Sequence, residues 1–203
     1  MPDLFSDSTT KMRLLDDDGL LDFWPHFLSV QQAQSLFVLL QQQIPWQTES
    51  YSVYGKTVEA PRRVAWYGDA DAAYTYSGIT HQPLPWTETL AALKKQLEQA
   101  CQHSFNSVLL NLYRDGQDSM GWHADKEAEL GPNPVIASLS LGQERVFKLR
   151  HQRSKRVLDV PLGSGSLLLM HGALQHHWQH SVPKSKKPMQ PRINLTFRTI
   201  IKP

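Results

Sequence analysis

Residues 192–200 read RINLTFRTI, and the alternation in this stretch decides how the C-terminal half of the chain folds. Side chains of a β-strand point alternately to its two faces, so this segment has one mainly apolar face and one polar face. The polar face carries Arg192, Asn194, Thr196 and Arg198. In an ordinary strand such a face meets water while the apolar face meets the core. The alternative is a polar face that lines a pocket, where two guanidinium groups could bind a small dianion.

A second segment, VLLNLYR at 108–114, has the same two-sided pattern. Asn111 and Tyr113 share one face, and apolar residues share the other. From residue 106 onward the chain reads as strand after strand, separated by clusters of Gly, Pro and charged residues. The predicted strands cover residues 106–114, 134–141, 144–151, 156–160, 165–171, 176–182 and 192–201.

The N-terminal half contains two predicted helices. Residues 29–43 begin with the candidate cap Ser29, and residues 87–101 begin with the candidate cap Thr87. The second helix has one apolar face, formed by Leu90, Leu93, Leu97 and Cys101. Between the helices, "YSVYGKTVEAPRRVAWYG" reads as a hairpin with Gly55 in its turn, followed by another strand. Together these elements predict one α+β domain over residues 21–203, preceded by a loosely ordered extension over residues 1–20.

Composition is ordinary for a soluble globular chain, because 40% of the 203 residues are hydrophobic and 20% are charged. No apolar run approaches the roughly 18 residues of a membrane span. The first residues are polar and acidic, unlike a signal peptide. The single cysteine, Cys101, excludes an intramolecular disulfide and a multi-cysteine zinc site. A cytoplasmic location without membrane association is therefore expected.

The net charge of +2 conceals a strong asymmetry. Residues 143–203 carry 12 Lys and Arg against 2 acids, whereas residues 1–142 carry 9 against 17. A basic half favours a polyanionic partner such as a nucleic acid. The alternative is that the basic loops HQRSKR at 151–156 and PKSKKP at 183–188 are simply solvated.

A candidate metal motif lies in GWHADKEAE at 121–129, where His123 and Asp125 are two positions apart. In a chain of this composition random placement yields about half a His-x-Asp pair, so the spacing alone does not identify a site. A third metal ligand, if there is one, should be a later histidine. His151 lies in the basic stretch and is expected to be exposed. Periodicity does not choose among the candidates His151, His171, His176, His177 and His180.

Five further segments belong together: NLYRDGQDSMGWHADKEAELG (111–131), PVIASLSLG (134–142), GSLLLMHG (165–172), HWQHSVPK (177–184) and PRINLTFRT (191–199). In this order and spacing they resemble the AlkB family of iron- and 2-oxoglutarate-dependent nucleic-acid demethylases. The similarity extends over about residues 50–200 and includes PRRVAWYGD (61–69) and YTYSGIT (74–80). It implies a double-stranded β-helix (jelly-roll) core at about residues 105–203, with helices packed on one face. It also implies a nucleotide-recognition lid at about residues 45–82.

The resemblance implies a ligand set for Fe(II), consisting of His123, Asp125 and His180. Two imidazoles and one carboxylate on one face of iron leave open positions for a 2-oxo acid and O₂. The resemblance also implies a pocket for 2-oxoglutarate, lined by Asn111, Tyr113, Arg192, Asn194, Thr196 and Arg198. In that pocket Arg192 would bind the distal carboxylate through two parallel hydrogen bonds.

Residues of the lid and of the metal loop would contact the substrate: Tyr54, Gly55, Lys56, Tyr74, Thr75, Tyr76, Lys126 and Glu127. By the same match Tyr76 would stack on a flipped base opposite His123, and Glu127 would face a cationic base. Tyr54 would fill the gap that the base leaves in a duplex, although a plain hairpin turn is equally compatible with its position. Basic side chains would contact phosphates: Arg62, Arg63, Lys184, Lys186 and Lys187. Lys126 departs from the animal members of the family, which have an acid there.

The resemblance implies oxidative demethylation of N1-methyladenine and N3-methylcytosine in DNA, with RNA as a second substrate, by a monomer. Such a reaction uses Fe(II), 2-oxoglutarate and O₂ and releases formaldehyde, succinate and CO₂. Both lesions block base pairing, which lowers the cost of flipping the base into a pocket. Two other functions remain, an oxygenase acting on a protein or lipid and a catalytically inactive nucleic-acid-binding relative. The intact ligand set and Arg192 argue against the inactive relative.

Overall fold

The computed structural model describes residues 10–53, 56–72, 74–76 and 79–201. Within these residues the larger sheet has eight strands. In spatial order they are β1 (Met12–Leu15), β2 (Leu20–Trp24), β12 (Leu167–His171), β9 (Ile136–Gly142), β14 (Arg192–Arg198), β7 (Ser107–Tyr113), β4 (Lys56–Gly68) and β3 (Gln47–Val53). The smaller sheet contains β11 (Val157–Leu162), β10 (Arg145–His151), β13 (Trp178–Val182) and β8 (Met120–His123). A two-stranded sheet pairs β5 (Tyr74–Tyr76) with β6 (Ile79–His81), and all these strand pairs are antiparallel.

The two predicted helices form close to their predicted bounds. Helix α1 spans Val30–Gln43, and the Ser29 side chain accepts a hydrogen bond from the backbone of Gln32, whose own side chain bonds back to Ser29. This reciprocal pair satisfies two backbone donors at the helix start. Helix α2 spans Glu88–Cys101 and is capped by the Thr87 hydroxyl. A short helix, α3 (Leu174–His177), and a 3₁₀ turn at Ala128–Leu130 complete the helical elements of the described residues.

Both long helices pack on one face of the larger sheet, as the sequence predicted. Leu40 of α1 and Leu93 of α2 join a buried cluster with apolar residues of the central strands. The apolar face of β14, formed by Ile193, Leu195 and Phe197, lies in this cluster. Burying such side chains contributes about 1.5–3 kcal/mol each, so this layer supplies much of the folding free energy.

The smaller sheet packs against the opposite face of the larger one, which gives the predicted jelly-roll architecture. Phe147 and Leu149 of β10 form a second buried cluster with Tyr113 of β7 and Ile136 of β9. The polar face of β14 also points into this space, and every residue of the strand is at most 7% exposed. The interpretation that this face meets water is therefore wrong, because the second sheet covers it.

The N-terminal segment is more ordered than predicted. Residues 12–15, assigned from the sequence to a loosely ordered extension, form β1 and pair with β2 at the edge of the larger sheet. Asp22 of β2 is buried and accepts hydrogen bonds from Arg13, Lys11 and His171. Burial raises the pKa of Asp22, but the hydrogen bonds from Arg13 and His171 outweigh it and the net shift is downward. These charged contacts hold the edge hairpin on the sheet.

Two local differences matter for the site. Residues 120–123 lie outside the strands predicted from the sequence, but they form β8, an edge strand of the smaller sheet. The segment 176–182 was predicted as one strand, but it begins inside helix α3 and becomes strand only at Trp178. Across the described ranges, no helix combines the length and the apolar character that crossing a membrane requires.

Candidate active site

The smaller sheet brings three of the candidate metal ligands together. His180 of β13 lies directly opposite His123 of β8 in the strand register, and Asp125 follows two residues after His123. The two imidazole rings are 4.2 Å apart between centroids. Asp125 Oδ1 lies 3.6 Å from His123 Nε2 and 3.9 Å from His180 Nε2. One atom from each residue lies within 4.8 Å of the others, a spacing that fits a single metal ion.

Hydrogen bonds orient the three side chains. Nδ1 of His123 is 2.8 Å from the carbonyl of Gly121, so this nitrogen donates and leaves Nε2 facing Asp125 with its lone pair. Arg198 Nη2 donates to Asp125 Oδ2 at 2.8 Å, and the backbone N–H of Asp125 donates to Gln175 Oε1 at 3.0 Å. The other carboxylate oxygen, Oδ1, is the one that faces both imidazoles.

Electrostatics hold Asp125 and His180 in their metal-binding protonation states. Burial alone would raise the pKa of Asp125, but the charge of Arg198 and the two histidines hold it at about 2. Burial, assisted by His123, lowers the pKa of His180 to about 3. At neutral pH the site therefore presents a carboxylate and a neutral imidazole, the forms that bind Fe(II).

A smaller cavity between the two sheets contains all six residues predicted to bind 2-oxoglutarate: Asn111, Tyr113, Arg192, Asn194, Thr196 and Arg198. Arg192 is 1% exposed, and its Nη2 donates to Ser140 Oγ at 2.9 Å. Its Nε and Nη1 have no hydrogen-bond acceptor among the described residues. Burial lowers the pKa of Arg192 to about 10, so the group stays charged at neutral pH. A buried cation with unsatisfied donors fits the carboxylate of a bound 2-oxo diacid.

The other members of this cavity hold one another in place. Asn194 donates to Ser138 Oγ at 2.8 Å and to the carbonyl of Leu139 at 3.0 Å. The Thr196 hydroxyl donates to the Asn194 side chain at 3.0 Å. The guanidinium carbon of Arg192 lies 5.1 Å from the centre of the Tyr113 ring. These hydrogen bonds hold the side chains of the polar face of β14 in place, with Arg192 lining the cavity.

A larger cavity of about 290 Å³ lies on the other side of the candidate ligands. Its lining includes the carboxylates of Glu49 and Glu127, and Glu127 Oε2 is buried without a hydrogen-bond partner in the described part of the chain. The two cavities share five lining residues: Leu109, Met120, His123, Asp125 and Arg198. A ligand in the larger cavity and a ligand in the smaller one would therefore meet at His123 and Asp125.

Arg62 does not lie where the sequence analysis placed it. It was expected to contact phosphates, but it is 6% exposed and lines the larger cavity, with Nε donating to Asn111 Oδ1 at 2.9 Å. The cause is strand alternation, because Arg62 lies two residues before Val64, which pairs with Asn111 of β7 and lines the same cavity. Arg63 and the lysines of the 183–188 loop remain exposed.

The predicted substrate contacts are only partly within the described residues. Lys126 is exposed beside Asp125, and Glu127 lines the larger cavity. Tyr54 and Gly55 lie outside the described residues. For Lys56, Tyr74, Thr75 and Tyr76 the structure describes only the backbone, within β4 and β5. Their predicted roles stay predictions.

Two of the other histidines considered as a third ligand, His171 and His151, bond carboxylates away from this site. His171 bonds Asp22 at 3.1 Å. His151 is buried rather than exposed as predicted, and its Nε2 lies 3.0 Å from Asp18 Oδ2, near His177. The backbone N–H of Ser154 donates to His151 Nδ1, so Nε2 carries the proton and donates to Asp18. A metal ion on that nitrogen would require an imidazolate, so this second group of metal-type side chains is a hydrogen-bond network.

Sequence reasoning missed Gln175, whose side chain is 2% exposed and fixes the backbone of Asp125. It lies in a helix of four residues, too short for a periodic signal. It also missed Glu49 of the larger cavity, because an acidic residue in a solvated strand has no distinguishing pattern. Only the tertiary arrangement brings these residues to the site.

Comparison with known proteins connects this geometry to a family. The sequence profile described as the 2OG-Fe(II) oxygenase superfamily matches residues 21–198. "Alpha-ketoglutarate-dependent dioxygenase alkB homolog 3" of Bos taurus is 44% identical over 187 residues, covering 87% of this chain and 64% of the relative. The same-named protein of Mus musculus is 38% identical over 221 residues, covering 98% and 77%. "DNA oxidative demethylase ALKBH2" of Homo sapiens is 40% identical over 181 residues, covering 84% and 69%.

A solved structure titled "The structure of OsALKBH1" superimposes with a TM-score of 0.64 at 20% identity, covering 88% of this chain and 97% of that one, and so shares the fold. The chain spans just under two thirds of the length of the bovine relative. The profile match over most of the chain, with relatives near 40% identity, decides the family. The chain belongs to the AlkB family within the 2OG-Fe(II) oxygenase superfamily.

Proposed function

We propose that this protein oxidatively demethylates N-alkylated bases in DNA, using Fe(II), 2-oxoglutarate and O₂ and releasing formaldehyde, succinate and CO₂. One observation carries the proposal: His123 and Asp125 lie where the smaller cavity, with its unsatisfied arginine, meets the larger cavity, with its carboxylates. The names of the relatives, which include a DNA oxidative demethylase, support the same reaction.

The smaller cavity would hold the cosubstrate. His123, Asp125 and His180 would hold Fe(II), and Arg192 would bind the distal carboxylate of 2-oxoglutarate through the donors that lack a partner. When bound, iron and 2-oxoglutarate supply the activation of O₂ that oxidises a methyl C–H bond. The protein fixes the carboxylate of Asp125 through Arg198 and excludes water by burying the whole polar face of β14.

The larger cavity would hold one flipped base. Its volume of about 290 Å³ suits a single small aromatic group rather than a base pair. Its lining holds Arg62 and Arg198, which bond Asn111 and Asp125, and also Glu49 and Glu127. The buried Oε2 of Glu127 has no hydrogen-bond partner among the described residues, so it would favour a base that carries positive charge. N1-methyladenine and N3-methylcytosine are such bases, and their N-methyl group would point toward the candidate metal ligands. We propose RNA carrying the same lesions as a second substrate, because the methylated base that would enter the cavity is the same in both nucleic acids.

The protein would act as a monomer, because His123, Asp125, His180 and Arg192 meet between two sheets of the same chain and the proposed chemistry needs no second copy.

A panel of oligonucleotides tests the proposal. The purified chain is incubated with Fe(II), 2-oxoglutarate and single- or double-stranded DNA or RNA that carries one 1-methyladenine or 3-methylcytosine. We expect formaldehyde and succinate in equal amounts from at least the single-stranded DNA substrates, and neither product from His123→Ala. Succinate formation that no methylated nucleic acid stimulates, but that a peptide or lipid substrate does, would overturn the proposal.

A further inference from the structure

Trp122 is an exposed aromatic side chain directly beside a candidate metal ligand. It precedes His123 on β8, and consecutive side chains of a strand point to opposite faces. His123 points into the cavities, so Trp122 points to the outer surface of the smaller sheet, where it is 39% exposed. The His123 side chain is itself 28% exposed, so the cavities open to solvent next to this strand.

Arg150 reaches the indole from two strands away. Its guanidinium carbon lies 4.5 Å from the centre of the Trp122 ring, and its Nη2 donates to Gln179 Oε1 at 3.1 Å on the intervening strand β13. In the described part of the chain Arg150 has no ion pair with a carboxylate. Lys148 on the same face does have one, to Asp159. Arg150 is therefore an uncompensated cation held in place by an aromatic ring and an amide.

The surroundings of this pair are open and basic. A Cβ atom added to Gly121, the neighbour of Trp122, would meet nothing within 4 Å. Exposed cations lie on the loops at the two ends of the smaller sheet, with no carboxylate partner described for most of them: Arg153, Lys155, Lys184, Lys186 and Lys187. An extended polyanion could thus approach the outer face of β8 without steric obstruction and with favourable charge.

We propose that Trp122 and Arg150 form a binding site for a nucleotide that flanks the flipped base in a single strand of nucleic acid. The exposed surface of Trp122 stacks on the flanking base, and Arg150 binds a phosphate of the same strand. Stacking on an aromatic platform next to a cationic group is the general chemistry by which proteins hold single strands without reading their sequence. The inference rests on the proposed function, because it assumes that the flipped base occupies the larger cavity.

Direct binding measurements test the pair without requiring demethylation. A fluorescently labelled, unmethylated 12-nucleotide oligo-dT is titrated with the full chain in the presence of Mn(II) and 2-oxoglutarate, and anisotropy gives Kd at several salt concentrations. Trp122→Ala should weaken binding about 5- to 150-fold, the range for loss of one stacked base. Trp122→Phe should restore most of the affinity, because a phenyl ring still offers a stacking face.

The salt dependence isolates the role of Arg150. Arg150→Ala should reduce the slope of log K against log salt by about 0.7, the value for one phosphate contact on a single strand, whereas Arg150→Lys should keep the slope. Lys94→Ala is the matched control, because Lys94 lies 5.4 Å from the ring of Trp86 on the helix side of the larger sheet. It removes an equivalent cation–π pair and should change neither Kd nor slope.

Two results would overturn the inference: Trp122→Ala that binds within twofold of the wild type, or a wild type that does not bind the oligonucleotide at all. A partner of another class, such as a peptide, would give the second result. Failure of the proposed function looks different, because the wild type would then bind through Trp122 without releasing formaldehyde from any methylated strand. If the inference and the proposed function both hold, Trp122→Ala should raise the KM for a methylated 12-nucleotide strand. The same variant should leave turnover of a methylated mononucleotide unchanged.

Discussion

Replacing Arg192 with methionine should weaken 2-oxoglutarate binding by about 30-fold or more without destabilising the unliganded protein. The side chain is 1% exposed, and its Nε and Nη1 have no acceptor among the described residues. In the unliganded state it is therefore a buried cation whose desolvation is poorly compensated, and an apolar side chain of similar length is neutral or stabilising there. With the diacid bound, the same atoms become donors to a carboxylate, and their removal is costly.

The magnitudes follow from this contrast. Truncating one partner of a buried, hydrogen-bonded charge pair costs about 2–5 kcal/mol, or roughly 30-fold to several-thousand-fold in Kd. At a ligand concentration of about 100 times the wild-type Kd, binding stabilises the wild type by about 2.7 kcal/mol. A variant weakened about 100-fold would gain only about 0.4 kcal/mol. For a domain of this size these values correspond to shifts in Tm of roughly 5–11 °C and 1–2 °C.

Thermal denaturation with Mn(II), with and without 2-oxoglutarate, measures both effects. Arg145→Met is the matched control, because Arg145 is also buried near Tyr113 but donates to the carbonyls of Asp115, Asp118 and Pro183. Leaving these acceptors unsatisfied should lower the Tm of the unliganded protein, since each costs about 1–3 kcal/mol. If 2-oxoglutarate raised the Tm of Arg192→Met as much as that of the wild type, the reasoning would be refuted. It would also be refuted if unliganded Arg192→Met were as destabilised as Arg145→Met.

Four further predictions concern other residues. Asp125→Asn should abolish formaldehyde release and weaken Fe(II) binding, whereas His176→Ala should leave the rate within about twofold; comparable losses in both would contradict the ligand assignment. Gln175→Leu should weaken Fe(II) binding about tenfold in an anaerobic titration, because the backbone of Asp125 loses its acceptor. Asp22→Asn should destabilise the fold by about 1–3 kcal/mol near neutrality. Because the folded pKa of Asp22 lies below its ordinary value, that difference should shrink as the pH falls below about 4, and a difference that grows instead would exclude the carboxylate as its source. Tyr54→Ala should slow repair of a methylated duplex far more than repair of the same lesion in a single strand, and equal slowing of both would remove Tyr54 from the mechanism.

Local patterns alone determined a large part of the architecture. The helices at 30–43 and 88–101 begin where their caps, Ser29 and Thr87, predict, because capping depends on atoms three residues away. The two faces of residues 192–198 follow from the two-residue repeat of a strand. The order and spacing of the motifs from residue 111 onward indicated the family, and the comparisons confirm it.

The tertiary structure decided what the faces of these strands and helices contact. Alternation cannot say whether the polar face of β14 meets water or a second sheet, because the covering strand β10 is some 45 residues away in the chain. Periodicity left five histidines open, and the register between β13 and β8 places only His180 opposite His123. Arg62 reaches a cavity because β4 pairs with β7, which brings it to Asn111, and Gln175 reaches Asp125 across 50 residues. Each of these outcomes depends on contacts between distant segments, and near-neighbour rules do not contain that information.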